Sequence, residues 1–234
     1  MGWKIEIASA ATHKYAVSKS GDAIDIVERP GGGYGVVLAD GQGSGPAGRA
    51  IARMVASQAA RLLQDGARAG VAAMAASDAL LHARSGQVSA GLDVITVDPG
   101  SNIEIARLSS NLVFVCRRGL WSIMPRSGDP AGRLANQTPE IESMPICDGL
   151  RIVLVTDGVA QAGSRFGAEF ELVKHLEATS ARLDPEELSQ RVLSAAMNAD
   201  RDRPQDDQSV VAIMISSAES DQRVQRLHVS DVWR

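Results

Sequence analysis

Five aspartates share one placement, because each lies where a predicted apolar strand begins or ends. They are Asp22, Asp40, Asp157, Asp206 and Asp207. Carboxylates at the ends of such strands converge on one rim of a sandwich, where they repel each other unless a cation neutralises them. Ligand sets made only of oxygen favour hard divalent ions such as Mg²⁺ or Mn²⁺. The sequence therefore predicts a divalent metal site.

An Asp-Gly pair is also an ordinary turn, and Asp65-Gly66 and Asp148-Gly149 are interpreted that way. The metal prediction accordingly depends on the whole set of aspartates rather than on any one of them. Asp22 has a turn as its alternative interpretation, and Asp207 has a cap that faces solvent. The four histidines are isolated in the sequence, so no zinc-type cluster competes with the carboxylates.

A glycine-rich segment, Gly41–Gly48, follows Asp40 directly. Its part Gly43–Gly48 fits GxGxxG between a strand and a helix, which is the dinucleotide-binding pattern. We reject that interpretation because a second helix follows instead of a parallel strand, and because no acidic residue ends such a strand about 20 residues further on. Asp40 would also place a negative charge near the pyrophosphate. The glycines instead predict a loop whose backbone approaches phosphate closely, beside a helix N-terminus that helps to hold an anion.

Composition limits the class of protein. The 234 residues are 44% hydrophobic and carry a formal net charge of −4 without a basic stretch, so we expect a globular chain that binds neither nucleic acid nor a membrane. With no long apolar run and two cysteines far apart, Cys116 and Cys147, we expect a reduced cytoplasmic protein. We expect one domain over residues 1–234, with a polar C-terminal tail from about residue 217.

Hydrophobic periodicity predicts the elements that position the aspartates. The predicted strands cover residues 3–8, 13–18, 23–29, 34–39, 92–97, 103–108, 112–116, 120–124, 150–155 and 209–215. The predicted helices cover residues 46–63, 71–84, 166–178 and 185–199, and residues 125–149 are predicted to be irregular. Hairpin-connected strands on either side of a helical pair predict an α+β sandwich of two mostly antiparallel sheets with helices outside.

Four motifs resemble one family. Asp40–Gly45 (DGQGSG) resembles the DGxGxG motif of the protein phosphatase 2C (PPM) superfamily, and more specifically of its bacterial SpoIIE/RsbU/RsbX branch. Ser20–Asp22 resembles the early GD of that branch, Val155–Val159 its late TDG, and Asp206–Val211 its closing DDxT. The order and spacing of these motifs agree with the branch over roughly residues 15–215.

The resemblance implies a four-layer α-β-β-α sandwich and two Mn²⁺ or Mg²⁺ ions. By the same resemblance Asp40 bridges both metals and is catalytic through the metal-bound water, while the carbonyl of Gly41 serves one metal. Asp157 and Asp206 complete the first metal site, and Asp22 lies near the second. The water between the metals would attack phosphorus in line.

The sequence departs from the superfamily at two places. Gln42 stands where eukaryotic members carry a presumed general-acid histidine, and an amide cannot donate a proton as an acid does. The eukaryotic phosphate-binding arginine has no match before Asp22, where Lys14 or Lys19 is the alternative to a plain solvated lysine. The resemblance also indicates weak substrate contacts, at Gly43, Ser44, Gly45 and Ser109.

The substrate implied by the resemblance is phosphoserine or phosphothreonine on a signalling protein. In this branch that protein is an anti-anti-sigma (STAS-domain) factor, or another regulatory phosphoprotein, in stress or sporulation signalling. Since the chain leaves no room for a sensor domain, we expect the free-standing RsbX type. The alternatives are a catalytically silent phosphatase-fold binding protein and a dinucleotide-binding oxidoreductase.

Overall fold

The computed structural model describes residues 2–100, 102–125, 128–168, 170–178 and 183–218. The polar tail predicted from about residue 217 lies almost wholly outside these described residues. Within them, no helix is both long and apolar enough to cross a membrane.

Ten strands form in the described part of the chain. They are β1 Gly2–Thr12, β2 Asp22–Glu28, β3 Tyr34–Gly41, β4 Ala90–Val97, β5 Asn102–Leu108, β6 Leu112–Arg117, β7 Leu120–Ile123, β8 Glu140–Pro145, β9 Leu150–Val155 and β10 Gln208–Ala218. The helices are α1 Gly45–Gln64, α2 Ala69–Arg84, α3 Asp157–Ala160, α4 Leu172–Ala178 and α5 Pro185–Ala199. A single 3₁₀ turn, Ser164–Phe166, lies between α3 and α4.

The strands form two five-stranded sheets. The first sheet has the order β1-β10-β9-β6-β7, and the second has the order β2-β3-β4-β5-β8. Each strand pairing in the described chain is antiparallel. In particular β3 and β4, which flank the α1–α2 helical pair, are antiparallel neighbours. This pairing excludes the parallel βαβ unit that a dinucleotide-binding interpretation of Gly43–Gly48 requires.

Three apolar layers hold the sandwich together. Alternate residues of β3 face opposite sides, so Val36 and Leu38 lie between the sheets while Val37 and Ala39 lie under α1 and α2. The outer face of the first sheet packs through residues such as Val153 against α4 and α5. Both sheets are therefore covered on both faces. The predicted four-layer α-β-β-α sandwich is confirmed.

The predicted strand at residues 13–18 is wrong. This segment is a loop of turns and bends in which Ala16 has a positive φ of 64°. Its backbone donors bond to a distant part of the chain instead of to a neighbouring strand. The N–H of Lys14 donates to Asp207 Oδ1 at 2.9 Å, and the N–H of Tyr15 donates to the carbonyl of Pro204 at 2.9 Å. The alternating pattern of side chains is thus overridden by tertiary hydrogen bonds.

Two further predictions need correction. The segment 125–149 is not wholly irregular, because it contains the edge strand β8, whose residues are mostly exposed. The predicted helix at 166–178 is shorter, since α4 begins only at Leu172. Its first part is instead the end of the 3₁₀ turn, capped by Gly167 with a φ of 70°.

Candidate active site

Two of the aspartates are cross-strand neighbours in the second sheet. Asp22 begins β2 and is the direct partner of Asp40 near the end of β3. Side chains of directly opposite residues in an antiparallel pair lie on the same face of the sheet. Asp22 is buried, with 3% of its surface exposed, and Asp40 is half-buried. The sheet therefore holds two carboxylates side by side in a largely dry environment.

The first sheet contributes two more carboxylates to the same rim. Asp157 is the first residue of α3, directly after β9, and Asp206 precedes β10 in a short exposed loop. Thr156 links the two sheets, because its Oγ1 donates to Asp22 Oδ2 at 3.2 Å. The structure therefore brings Asp157 and Asp206 to the same rim as the Asp22–Asp40 pair.

The electrostatics of the four carboxylates reflect this crowding. Burial, followed by the charge of Asp22, raises the pKa of Asp40 to about 8, and Asp157, Asp206 and Asp207 add to the rise. Burial, with Asp207 and Asp157 nearby, raises the pKa of Asp22 to about 7. Burial and Asp206 also raise the pKa of Asp157. Buried like charges are costly, and they mark candidate functional sites.

Asp207 has a structural role that its sequence position did not reveal. It is buried rather than exposed to solvent, which corrects the interpretation of this residue as a solvent-facing cap. Its two carboxylate oxygens accept hydrogen bonds from the backbone N–H groups of Lys14, at 2.9 Å, and Gly21, at 2.7 Å. Asp207 thus ties the loop before Asp22 to the start of β10.

The loop after Asp40 is closely packed against its own helix. A Cβ atom at Gly41 would lie 2.0 Å from the carbonyl oxygen of Gly48, which excludes any side chain there. Gly43 and Gly45 have positive φ angles of 86° and 72°. Ser44 is exposed and lies at the N-cap of α1 without a capping bond from its side chain. The first turn of α1 and this loop therefore present backbone groups at the rim.

Gln42 fastens this loop to the start of β4. Its Oε1 accepts from the backbone N–H of Ser89 at 2.9 Å and from Ser89 Oγ at 3.3 Å. The backbone N–H of Gln42 donates to the Ser89 carbonyl at 3.0 Å. Gln42 is therefore a structural residue, and its amide contributes no acidic proton to the site.

The predicted substrate contact at Ser109 is wrong. Ser109 is fully buried, and its Oγ donates to Asp93 Oδ1 at 2.7 Å. Asn111 donates to the other oxygen of Asp93 at 2.7 Å, and Arg107 Nε approaches Oδ1 at 3.3 Å. Ser109 still borders the rim, since its Cβ and that of Asp40 both lie within 4 Å of a Cβ placed at Gly91. It supports the site from beneath and is not presented to a substrate.

The donor set at the rim fits a hard divalent cation. Its side chains offer carboxylate oxygens, and burial together with neighbouring carboxylates raises the pKa values of Asp22 and Asp40. Among the described residues, no group of three or more His, Cys, Asp or Glu side chains is already placed to hold one ion. Binding an ion through three of these aspartates therefore requires their carboxylates to move closer together.

The fold and the rim define the class of the protein as a PP2C-type phosphatase fold. The family model for stage II sporulation protein E (SpoIIE) matches residues 30–216. The chain belongs to this SpoIIE family, within the PPM superfamily. The prediction of a phosphatase-type hydrolase is confirmed at the level of the family. No curated protein matches the chain by sequence.

Solved structures agree with this assignment. The PP2C phosphatase domain of SpoIIE from Bacillus subtilis, with a fragment of its regulatory domain, is 17% identical with a TM-score of 0.77. That match covers 92% of this chain and 64% of the SpoIIE chain. The catalytic domain of the serine/threonine phosphatase PstP, in complex with two manganese ions, is 15% identical with a TM-score of 0.71, covering 92% of this chain and all 100% of that one.

A third structure is RsbX in complex with magnesium. It is 13% identical with a TM-score of 0.69, and the match covers 91% of this chain and 96% of RsbX. At such identities the likeness establishes the fold and not the reaction.

Proposed function

We propose that the chain is a metal-dependent protein serine/threonine phosphatase. One observation carries this proposal: the carboxylates of Asp22 and Asp40 from one sheet and of Asp157 and Asp206 from the other share a single rim, where burial and the neighbouring carboxylates raise the pKa values of Asp22, Asp40 and Asp157. Buried like charges are costly, and a bound cation would offset their repulsion. Divalent cations are the ligands that this oxygen set favours.

The residues that would hold two Mn²⁺ or Mg²⁺ ions are Asp22, Asp40, the Gly41 carbonyl, Asp157 and Asp206. Bound dications supply Lewis acidity at a phosphoryl oxygen and a nucleophile at neutral pH. The solved PstP and RsbX structures contain manganese and magnesium, respectively.

The protein's own groups position the reactants. Thr156 holds Asp22 from the opposite sheet, and Asp207 fixes the loop that leads to Asp22. The backbone around Gly43, Ser44 and Gly45, at the N-terminus of α1, provides donors for a phosphate. Gln42 is bonded to Ser89 and carries no acidic proton, so the proposed reaction does not use this residue to protonate the leaving serine oxygen.

The proposed substrate is phosphoserine or phosphothreonine on a signalling protein, specifically a phosphorylated STAS-domain factor or a comparable regulatory phosphoprotein. Similarity to RsbX and to a phosphatase fold solved in work on the bacterial stressosome supports this assignment. We further propose a single phosphatase domain over residues 1–234 and a cytoplasmic location. The two free cysteines are compatible with that location.

A metal-dependence assay tests the reaction. The chain is expected to hydrolyse p-nitrophenyl phosphate and a phosphoserine peptide with Mn²⁺, to lose activity in EDTA and to regain it with added Mn²⁺. Asp40→Asn should abolish turnover, because the shared ligand loses its charge. Asp65→Asn is the matched control, since Asp65 lies at the C-terminus of α1.

Two results would redirect the proposal. A chain that folds but shows no turnover with Mn²⁺ or Mg²⁺ would be a catalytically silent phosphatase-fold binding protein. Turnover that survives both EDTA and Asp40→Asn would show that the carboxylate rim is not the reaction centre.

A further inference from the structure

A basic lip adjoins the carboxylate rim. We define the basic lip as Tyr15, Arg165, Arg201 and Arg203, which are all exposed. Each lip residue lies in a segment that leads to, or follows, one of the site aspartates. Tyr15 lies in the loop before Asp22, Arg165 follows α3, which begins at Asp157, and the two other arginines lie in the loop before Asp206.

Hydrogen bonds join the three segments into one surface. The N–H of Tyr15 donates to the Pro204 carbonyl at 2.9 Å. Arg165 donates to Gln205 Oε1 at 3.0 Å, and Gln205 Nε2 donates to the Arg203 carbonyl at 2.7 Å. The lip is therefore built by contacts between segments that are distant in the sequence, and it is not a chance grouping of surface charges.

Aromatic rings hold two of the guanidinium groups in place. Arg203 lies over the ring of Tyr15, with its Cζ 5.4 Å from the ring centroid. Arg201 lies over the ring of Phe166 at 4.2 Å. Stacking restricts the side chains while it leaves the N–H groups of each guanidinium free to bind an anion.

The charge of the lip is largely uncompensated. Within the described residues, none of its three arginines forms an ion pair with a carboxylate. In the loop that carries two of them, Asp200 is buried and bonds to the Gly163 N–H and to Gln208. Asp202 and the site residue Asp206 are the exposed carboxylates of this loop. The lip thus presents positive charge beside a negative site.

We propose that the basic lip docks acidic residues that flank the phosphorylated residue of the substrate protein. This inference rests on the proposed phosphatase function and specifies the substrate class of the same site. Guanidinium groups bind carboxylates through paired hydrogen bonds, and an exposed tyrosine beside arginine is the side-chain combination that anchors protein interfaces. The lip selects the sequence context, while the carboxylate rim acts on the phosphate.

Two phosphoserine peptides of equal length test the docking. One carries aspartates and glutamates on both sides of the phosphoserine, and the other carries alanines. With Mn²⁺, kcat/KM is expected to be about tenfold higher for the acidic peptide, which is roughly the value of one charge-assisted hydrogen bond. Arg203→Gln and Tyr15→Ala should each reduce this preference severalfold.

The matched control is Arg117→Gln. Arg117 is an exposed arginine at the end of β6 opposite to the rim, since β6 begins beside the end of β9. This variant should keep the wild-type preference for the acidic peptide. Equal kcat/KM for the two peptides, or a preference that Arg203→Gln leaves unchanged, would overturn the docking proposal.

A binding measurement separates the two proposals. Fluorescence anisotropy of the labelled peptides with the wild-type chain in EDTA needs no turnover, and the acidic peptide should bind more tightly there too. Tighter binding of the acidic peptide without any hydrolysis in Mn²⁺ would remove the phosphatase function and retain the lip. Hydrolysis without discrimination in either assay would retain the phosphatase and remove the lip.

Discussion

Neighbouring aspartates have different tasks because their surroundings differ. Asp207 has both carboxylate oxygens occupied by backbone N–H groups and fixes a loop. Asp206, one residue earlier, is exposed and raises the pKa values of Asp40 and Asp157. Substituting Asp206 therefore affects the charge of the rim, whereas substituting Asp207 affects that charge and also releases the loop that leads to Asp22.

Gln42 provides a test at this scale. Gln42→Ala removes the acceptor of the buried Ser89 N–H, so the free energy of unfolding should fall by about 1–2 kcal/mol in urea titrations. The kcat on p-nitrophenyl phosphate should fall less than about a hundredfold, because the amide donates no proton.

Ser89→Ala serves as the comparison for Gln42→Ala. It removes only the weaker bond from Ser89 Oγ, at 3.3 Å, and should destabilise the protein less. A hundredfold or larger loss of kcat in Gln42→Ala would assign this residue to the chemistry.

The sequence predicts the site aspartates better than it predicts their supports. Asp40 and Asp157 follow apolar strands, so their placement at a rim follows from local pattern. The role of Asp207 depends on N–H groups 186 and 193 residues away, which no local pattern encodes. The failure at Ser109 has the same origin, because its partner Asp93 lies on another strand.

At the scale of elements, a buried charge pair joins β4 to β5 beside the rim. Asp93 and Arg107 are direct cross-strand partners, and their side chains are 0% and 3% exposed. Burial raises the pKa of Asp93, while Arg107 and the hydrogen bonds from Ser109 and Asn111 oppose the rise. Arg107 also donates to the carbonyls of Pro125 and Asn111. The pair thus fixes the β5–β6 turn.

Breaking this pair should be costly. Asp93→Ala leaves a buried guanidinium without its carboxylate, and we expect a loss of about 3–5 kcal/mol in the free energy of unfolding. Asp25→Ala breaks the Arg53–Asp25 pair, whose arginine is 46% exposed, and should cost less than about 1 kcal/mol. Urea unfolding of both variants compares them, and equal losses would contradict the structural role of Asp93.

Elements with strong periodicity are predicted well from the sequence, and polar ones are not. The buried strands β3, β9 and β10 have nearly continuous apolar runs, and the structure contains them. The edge strand β8 (EIESMP) exposes most of its residues, including Ile141 at 52%, so it has no apolar face to detect. The strand prediction for residues 13–18 is wrong for the opposite reason. The alternating pattern is present, but the backbone N–H groups bond to Asp207 and Pro204 instead of to a neighbouring strand.

At the scale of the whole molecule, the rim lowers stability when no cation is bound. The folded chain holds Asp40 with a pKa of about 8 and Asp22 with a pKa of about 7, against an ordinary value of 3.8. Between the ordinary pKa of 3.8 and the raised pKa of about 8, the folded state therefore binds more protons than the unfolded state. These two groups therefore make their full contribution to the stability of the metal-free chain below about pH 4. That contribution is lost as the pH rises to about 8.

A thermal unfolding series in EDTA measures this dependence. The Tm of the metal-free chain should fall between about pH 5 and pH 8, and it should fall less in Asp40→Asn, which lacks one of the titrating groups. Added Mn²⁺ should raise the wild-type Tm most at the upper end of that range. A wild-type slope identical to that of Asp40→Asn would show that Asp40 does not carry a raised pKa.

The four rim carboxylates come from opposite sheets and from opposite halves of the chain, with Asp22 and Asp40 early and Asp157 and Asp206 late. A cation held by both pairs would thus also be a cross-link that closes a loop of more than a hundred residues. Such closure reduces the entropy of any partly opened state in which the sheets separate. Cation binding at the rim and cohesion of the two halves of the sandwich would consequently be thermodynamically linked.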